Sequence, residues 1–441
     1  MNSLKDIALK FNKKIKINFD GGELSSDGGL LVLKEFISAF KIDKLVGRVF
    51  KTKDKAKRRE HTDDENLFQM IYQITAAYFT DDDADELTND PIITTILDKD
   101  ALASQPTLSR FHNRLEETTL GQFNDMAVGL RSIAYSVKMP KAVLFDLDTS
   151  LLETYGKQEG EGYNFHYKAH GYHPQFCYDG FTGDLLKAEL RKGTDYCSNG
   201  IVEFMQPLLD EYQDCYPDIR MFLRGDSGYT APGLYEQCET NGVSYVIKLK
   251  SNKALHKLAT ELVDELNDMT EGNIAEYAAV YGEFEYQAKS WGYPRRVVCK
   301  VEKPYGQMFP MIFFFVTNMD LSPEKTVLFY RDRGRMENYI KEGKNGFDFG
   351  AVSSSSEVVN ANRFQIHVLA YNIFNLFRRL VLPEGMSNSL IDTIRMKFIK
   401  IATKIVRSGR YIYFKLCSSC PYKDIFYKTL ENIWKLQPLL L

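Results

Sequence analysis

No stretch of this chain is both long and apolar enough to cross a bilayer. The longest apolar run, Met308 to Val316, is broken by Pro310 and falls far short of the roughly 20 residues a membrane helix needs. The first residues, Met1 to Asp6, carry no apolar signal core, so the expected location is cytoplasmic and no membrane partner is expected. A disulfide or zinc framework is missing as well. The seven cysteines, an odd number, are scattered from Cys177 to Cys420, and only Cys417 and Cys420 form a Cys-x-x-Cys, without a second pair or a nearby histidine. The glycine turns Asp20-Gly21-Gly22 and Asp27-Gly28-Gly29 lack the Gly-Lys-Ser/Thr of a phosphate loop, which argues against ATP use. Net charge is nearly absent too. The formal value of −3 excludes a bulk basic coat protein and an acidic disordered tail.

What is present is core material. Hydrophobic residues make up 44% and aromatics 13% of 441 residues, and at about 150 residues per domain the chain should divide into roughly three units. The small net charge hides local asymmetry. Residues 41–60 hold nine basic and three acidic residues, among them Lys55, Lys57, Arg58 and Arg59. Residues 81–100 hold eight acids against Lys99, readable as a solvated loop or as a screen for a basic surface. Residues 375–415 hold nine basic residues against Glu384 and Asp392. There Ile394, Phe398, Ile401 and Ile405 recur at helical spacing, with Arg395, Lys397, Lys400 and Lys404 between them. Two basic blocks in one chain favour a phosphate-backbone partner over a merely solvated face.

Residues 1–140 read as mostly helical. At Lys141 the texture changes: Ala142 to Asp148 is an apolar strand ending in acids, Gln175 to Leu190 a hairpin, and helix and strand then alternate through Leu249. This order predicts an α/β fold with a mixed sheet and flanking helices. The expected regions are a helical N-terminal part over 1–140, an α/β core over 141–252 and 319–382, a β-rich insertion over 253–318, and a basic helical C-terminal part over 383–441.

Asp148 closes the first strand and Asp226 the fourth, the places where sites collect in open α/β sheets. Paired carboxylates there repel unless cations lie between them, and hard oxygen ligands select Mg²⁺ or Mn²⁺. Asp146 precedes Asp148 by two and points the same way on a strand, so either acid could serve; the following Thr149-Ser150 favours Asp148. Farther on, Tyr330, Arg333, Glu337 and Lys344 fall within an arc of about 60° if the segment is one helix.

Tyr, two residues, Arg, three residues, Glu, six residues, Lys resembles the signature of DDE transposases from bacterial insertion sequences. Asp148-Thr149-Ser150 and Arg224-Gly225-Asp226-Ser227-Gly228-Tyr229 resemble that family's first and second acid segments, and Glu23 to Leu31, Ser104 to Phe111 and Gly171 to Gly193 resemble further stretches of one branch. The resemblance implies a ribonuclease H-like core interrupted between the second Asp and the Glu. It implies a catalytic, metal-binding triad of Asp148, Asp226 and Glu337 holding two Mg²⁺ (or Mn²⁺) ions, and phosphate contacts from Tyr330, Arg333 and Lys344. Strand cleavage would be followed by strand transfer on double-stranded DNA, in a homodimer that pairs two transposon ends. Trp291, in the insertion, is normally a core residue; within the resemblance it is a candidate to stack on a flipped base. A nuclease that does not transpose, and a DNA-binding protein that does not cut, are the alternative functions.

Overall fold

A computed structural model describes residues 6–54, 56, 58–270 and 277–436. The basic candidates Lys55 and Lys57 lie outside the described residues. The chain forms two compact units, Lys138–Gly343 with Val352–Ala361, and Met1–Val137 with Lys344–Ala351 and Asn362–Leu441.

The first of these is built on an eight-stranded sheet among the described residues. Its strands are β1 (Ala142–Thr149), β2 (Gln175–Asp179), β3 (Leu185–Glu189), β4 (Arg220–Gly225), β5 (Ser244–Leu249), β6 (Ala278–Tyr286), β7 (Arg295–Lys303) and β8 (Met311–Thr317), in the order β6-β7-β8-β5-β4-β1-β2-β3. β1, β4 and β5 are parallel neighbours, and β2 and β3 run antiparallel as a hairpin beside β1. The arrangement β3-β2-β1-β4-β5 is the mixed ribonuclease H-like core that the resemblance implied. Two parallel strands need a crossover, supplied by helix α1 (Ile201–Cys215) between β3 and β4 and by α2 (Pro232–Thr240) between β4 and β5. Val143, Leu144, Phe145 and Leu147 of β1 are all buried, the pattern of a strand covered on both faces.

The strands of the expected β-rich insertion continue this sheet. β8 pairs antiparallel with β5, and β7 and β6 follow outward. Without β8 the outer edge of β5 would be left as unpaired N–H and C=O groups, which a sheet of buried strands does not tolerate.

The other unit is mainly helical, with helices such as Leu30–Ala39, Asp63–Thr75 and Glu117–Val137. The acidic stretch 81–100 is used locally. Asp90 caps the helix Pro91–Leu97, accepting from Ile92 and Ile93 N–H, and Asp81 pairs with Arg363 at 2.8 Å.

The basic helix expected across Ile394 to Ile405 does not run through. Helix ends at Ile399, and Thr403–Arg407 is a strand that pairs with Ile412–Leu416 and with Leu24–Ser25. Gly28 and Gly29 donate to the carbonyls of Ile401 and Ile399. A β-carbon on Gly29 would lie 2.0 Å from the Phe398 carbonyl oxygen, so only glycine permits this approach. Beyond it Thr403 and Ile405 are buried while Lys404 is exposed, a period-two pattern the β-branched residues favour.

Candidate active site

Parallel pairing of β1 with β4, Arg224 opposite Asp146, brings their C-terminal ends together. Asp148 sits at the end of β1 and Asp226 directly after β4. Asp226 caps the short turn Ser227–Tyr229, its Oδ1 accepting from Gly228 N–H at 2.8 Å. Asp148 is half-buried. Its Oδ1 accepts from Thr149 N–H at 2.9 Å, and its Oδ2 lies 3.0 Å from Arg333 Nη2, which also donates to the Leu147 carbonyl. Burial pushes the Asp148 carboxyl up to about 6; Arg333 opposes the rise, while Asp226 and Glu337 add to it. The Asp148 carboxyl thus feels both Asp226 and Glu337.

The segment read as one helix is two. α3 (Pro323–Arg331) and α4 (Gly334–Gly346) are separated at Asp332-Arg333. Glycine loses the most backbone entropy in a helix, so Gly334 is a cheap place to interrupt one. The break puts Arg333 at a corner, with its side chain on the end of β1, and Glu337 in the first turn of α4. Tyr330, in the last turn of α3, packs its ring 4.8 Å from that of Phe315, and burial pushes its phenol up to about 12. Lys344 lies in the last turn of α4.

Asp146 is fully buried, and both its oxygens are taken by Arg224, at 2.7 and 2.6 Å; Arg224 also donates to the Phe329 carbonyl at 2.7 Å. This ion pair separates the two acids of the Asp-x-Asp strand into a structural one and an accessible one. Arg224 belongs to the segment that resembles the family's second acid, where the resemblance implies no role for it. An arginine inside an apolar strand was the available signal, and the pairing register supplies its partner.

Other expected contacts divide sharply. Arg58 and Lys404 are exposed. Arg59 is tied to Asp63 at 2.6 Å, and also to Asp54. Arg395 is buried and donates to the carbonyls of Ile74 and Thr75, each at 2.8 Å. Lys400 lies 2.7 Å from the buried carboxylate of Asp27 and over the Tyr78 ring. Lys397 lies over Tyr422. Arg59, Arg395 and Lys400 are thus spent on internal partners: part-buried carboxylates for Arg59, buried carbonyls for Arg395 and a buried carboxylate for Lys400. Trp291 is buried against the rings of Tyr235 and Tyr286, each 5.5 Å away, with the Arg295 guanidinium near it; that is the core role.

Among the described residues no three His, Cys, Asp or Glu side chains are grouped as metal ligands must be. The donor chemistry nevertheless fits hard divalent ions: carboxylate oxygens at adjacent strand ends, with Asp148 largely desolvated and a guanidinium held against it.

No curated protein matches this chain. Among solved structures, the synaptic complex of piggyBac transposase with hairpin DNA is similar over 85% of this chain and 80% of that one, at 13% identity and a TM-score of 0.41, a likeness too distant to bear on chemistry. The family model described as transposase DDE domain group 1 matches residues 7–438, nearly the entire sequence, and the chain therefore belongs to the DDE transposases.

Proposed function

We propose that this transposase cuts and joins DNA at the end of β1 by metal-dependent, in-line phosphoryl transfer, with Asp148, Asp226 and Glu337 as the catalytic carboxylates. The carrying observation is the strand register that sets Asp148 and Asp226 at the adjacent C-terminal ends of β1 and β4, with the Arg333 guanidinium against Asp148. Two Mg²⁺ or Mn²⁺ ions held by these three residues would neutralise charge at phosphorus and activate the attacking oxygen. Arg333 holds its guanidinium against Asp148. Its bond to Asp148 is one that a second cation would weaken, and a guanidinium so released is suited to a DNA phosphate. Phosphoryl transfer needs positioning and charge neutralisation rather than a side-chain nucleophile, so none has to be sought among the cysteines. Tyr330 and Lys344 are assigned to phosphates near the cut, and Arg58, Lys397 and Lys404 to the flanking duplex. The working form is a homodimer that holds two transposon ends, acting on cytoplasmic DNA of a bacterial insertion sequence.

The test is strand cleavage of the DNA flanking its own coding sequence. Glu337→Gln should bind that DNA as the parent does and lose Mg²⁺-dependent cutting by at least about 100-fold, beyond what loss of an outer-shell partner causes. Normal cutting by Glu337→Gln would sink the assignment.

A further inference from the structure

One pair of thiols has no part in the cutting reaction. Cys417 and Cys420 bracket the tight turn between the strand Ile412–Leu416 and the helix Lys423–Leu436. The Cys420 N–H donates to the Cys417 carbonyl at 3.2 Å, and the Cys417 N–H to the Ala402 carbonyl at 2.8 Å. A turn closed in this way brings its end α-carbons within about 7 Å of each other. A disulfide usually spans about 4.4–6.8 Å between α-carbons, so a bridge falls within reach of the backbone as it stands. The flanking elements are anchored by contacts of their own. The strand pairs with Thr403–Arg407, and the helix packs Phe426 against the Phe398 ring at 5.7 Å while Asn432 donates to the Val381 carbonyl at 2.8 Å. The turn is therefore held at both ends.

The two thiols differ. Cys417 is exposed and Cys420 half-buried. The Cys417 sulfur lies 3.2 Å from the Ser419 hydroxyl. Hydrogen bonds from Ser419 hold the Cys417 thiol below its usual range, and the Lys423 ammonium adds to the effect. Burial does the opposite to Cys197, Cys238 and Cys299, pushing the last up to about 12. Thiolate is the nucleophilic form, so Cys417 is better equipped to attack than these three.

We propose that Cys417 and Cys420 are a reversible dithiol–disulfide pair, oxidised by low-molecular-weight disulfides of the glutathione type. The Cys417 thiolate attacks one sulfur of the small disulfide, forming a mixed disulfide and releasing one thiolate. Cys420 gives its proton to solvent and attacks the Cys417 sulfur, and the second small thiolate leaves. Two electrons pass from the protein dithiol to the small disulfide, which ends as two thiols. A bridge that closes so short a loop constrains the unfolded chain little, so the same thiol pool can reopen it. That behaviour suits a sensor in a reducing compartment rather than a permanent staple. Closed, the bridge ties strand to helix in the unit that carries Lys397 and Lys404. Zinc fits less well, since a structural site takes about four ligands and no third His, Cys, Asp or Glu joins the pair among the described residues.

The test incubates the full chain, carrying Cys215→Ser to remove a further exposed thiol, with oxidised glutathione, and reads mass and cysteine linkage by peptide mapping. The expected product has lost two hydrogens and links Cys417 to Cys420, and reduced glutathione restores the dithiol. Adding Cys420→Ser should stop the reaction at its first step, with one glutathione on Cys417. Adding Cys417→Ser instead should slow uptake of glutathione, now on Cys420, by at least about tenfold. Both positions lie on a turn outside the core, so serine should leave the melting temperature unchanged. Glutathione that stays on Cys417 while Cys420 is present, with no internal bridge, would overturn the proposal. Equal uptake by the two serine variants, or bridges that join two copies of the chain instead, would overturn it as well.

Discussion

At the scale of single residues, the Asp146–Arg224 pair shows how two acids on one strand come to differ. Asp146 is shut in with a guanidinium that satisfies both its oxygens, whereas Asp148 keeps access to solvent and to other carboxylates. Removing one member of a buried pair strands the other charge, at a cost of about 3–5 kcal/mol. Asp146→Ala should therefore lower the unfolding free energy by about that much in a denaturant titration. Asp148→Asn, which relieves a desolvated charge, should leave stability equal or higher while abolishing cleavage. If the two variants exchanged these effects, the division of roles would be reversed. Asp148 and Asp226 were legible in the sequence because acids at the ends of apolar strands stand out. The role of Asp146 was not, since an Asp-x-Asp pattern is silent about which oxygen meets an arginine 78 residues away.

At the scale of elements, helix and strand order through Leu249 could be read from the sequence because the strands are short apolar runs and the crossover helices between them bury one face. Two segments defeated that reading for opposite reasons. Tyr330 to Lys344 kept a helical period across a break, since the two residues between α3 and α4 preserve the spacing while turning the chain. Ile394 to Ile405 kept the period across a change of structure, since isoleucine suits strand and helix positions alike and Gly28-Gly29, far away in sequence, decides which is used. Gly29→Ala should accordingly damage this junction. With the new methyl 2.0 Å from a carbonyl oxygen, a loss of more than about 2 kcal/mol is expected, measurable as a lowered melting temperature, whereas Gly121→Ala, in an open helix position, should not destabilise.

For the whole molecule, buried histidines tie stability to pH. His367 is 3% exposed, and burial lowers its imidazole to about 4. A base depressed in the folded state favours folding fully only above its unfolded value near 6.5. As pH falls from about 6.5 towards 4, the unfolded chain takes up a proton that the folded chain refuses, and stability is lost by up to ~3 kcal/mol. His367→Gln should flatten that part of the stability curve relative to the parent; parallel curves would show that the imidazole is not the source. Charge acts at the same scale. DNA affinity should fall steeply with salt, and Arg58→Ala should reduce the log–log slope by about 1, while Arg395→Ala should lower stability and leave the slope unchanged.

The bonds from Arg395 to the carbonyls of Ile74 and Thr75 join positions up to 321 residues apart. At 5–20 residues per second, a ribosome needs about 15–65 s to synthesise the intervening chain. Throughout that interval the early helices lack the donors that satisfy them, and the strand Leu24–Ser25 lacks its partner. A stop ahead of Arg395 thus removes both the donor to the Ile74 and Thr75 carbonyls and the strand that pairs with Leu24–Ser25. Packing of this helical unit therefore joins segments made far apart in time.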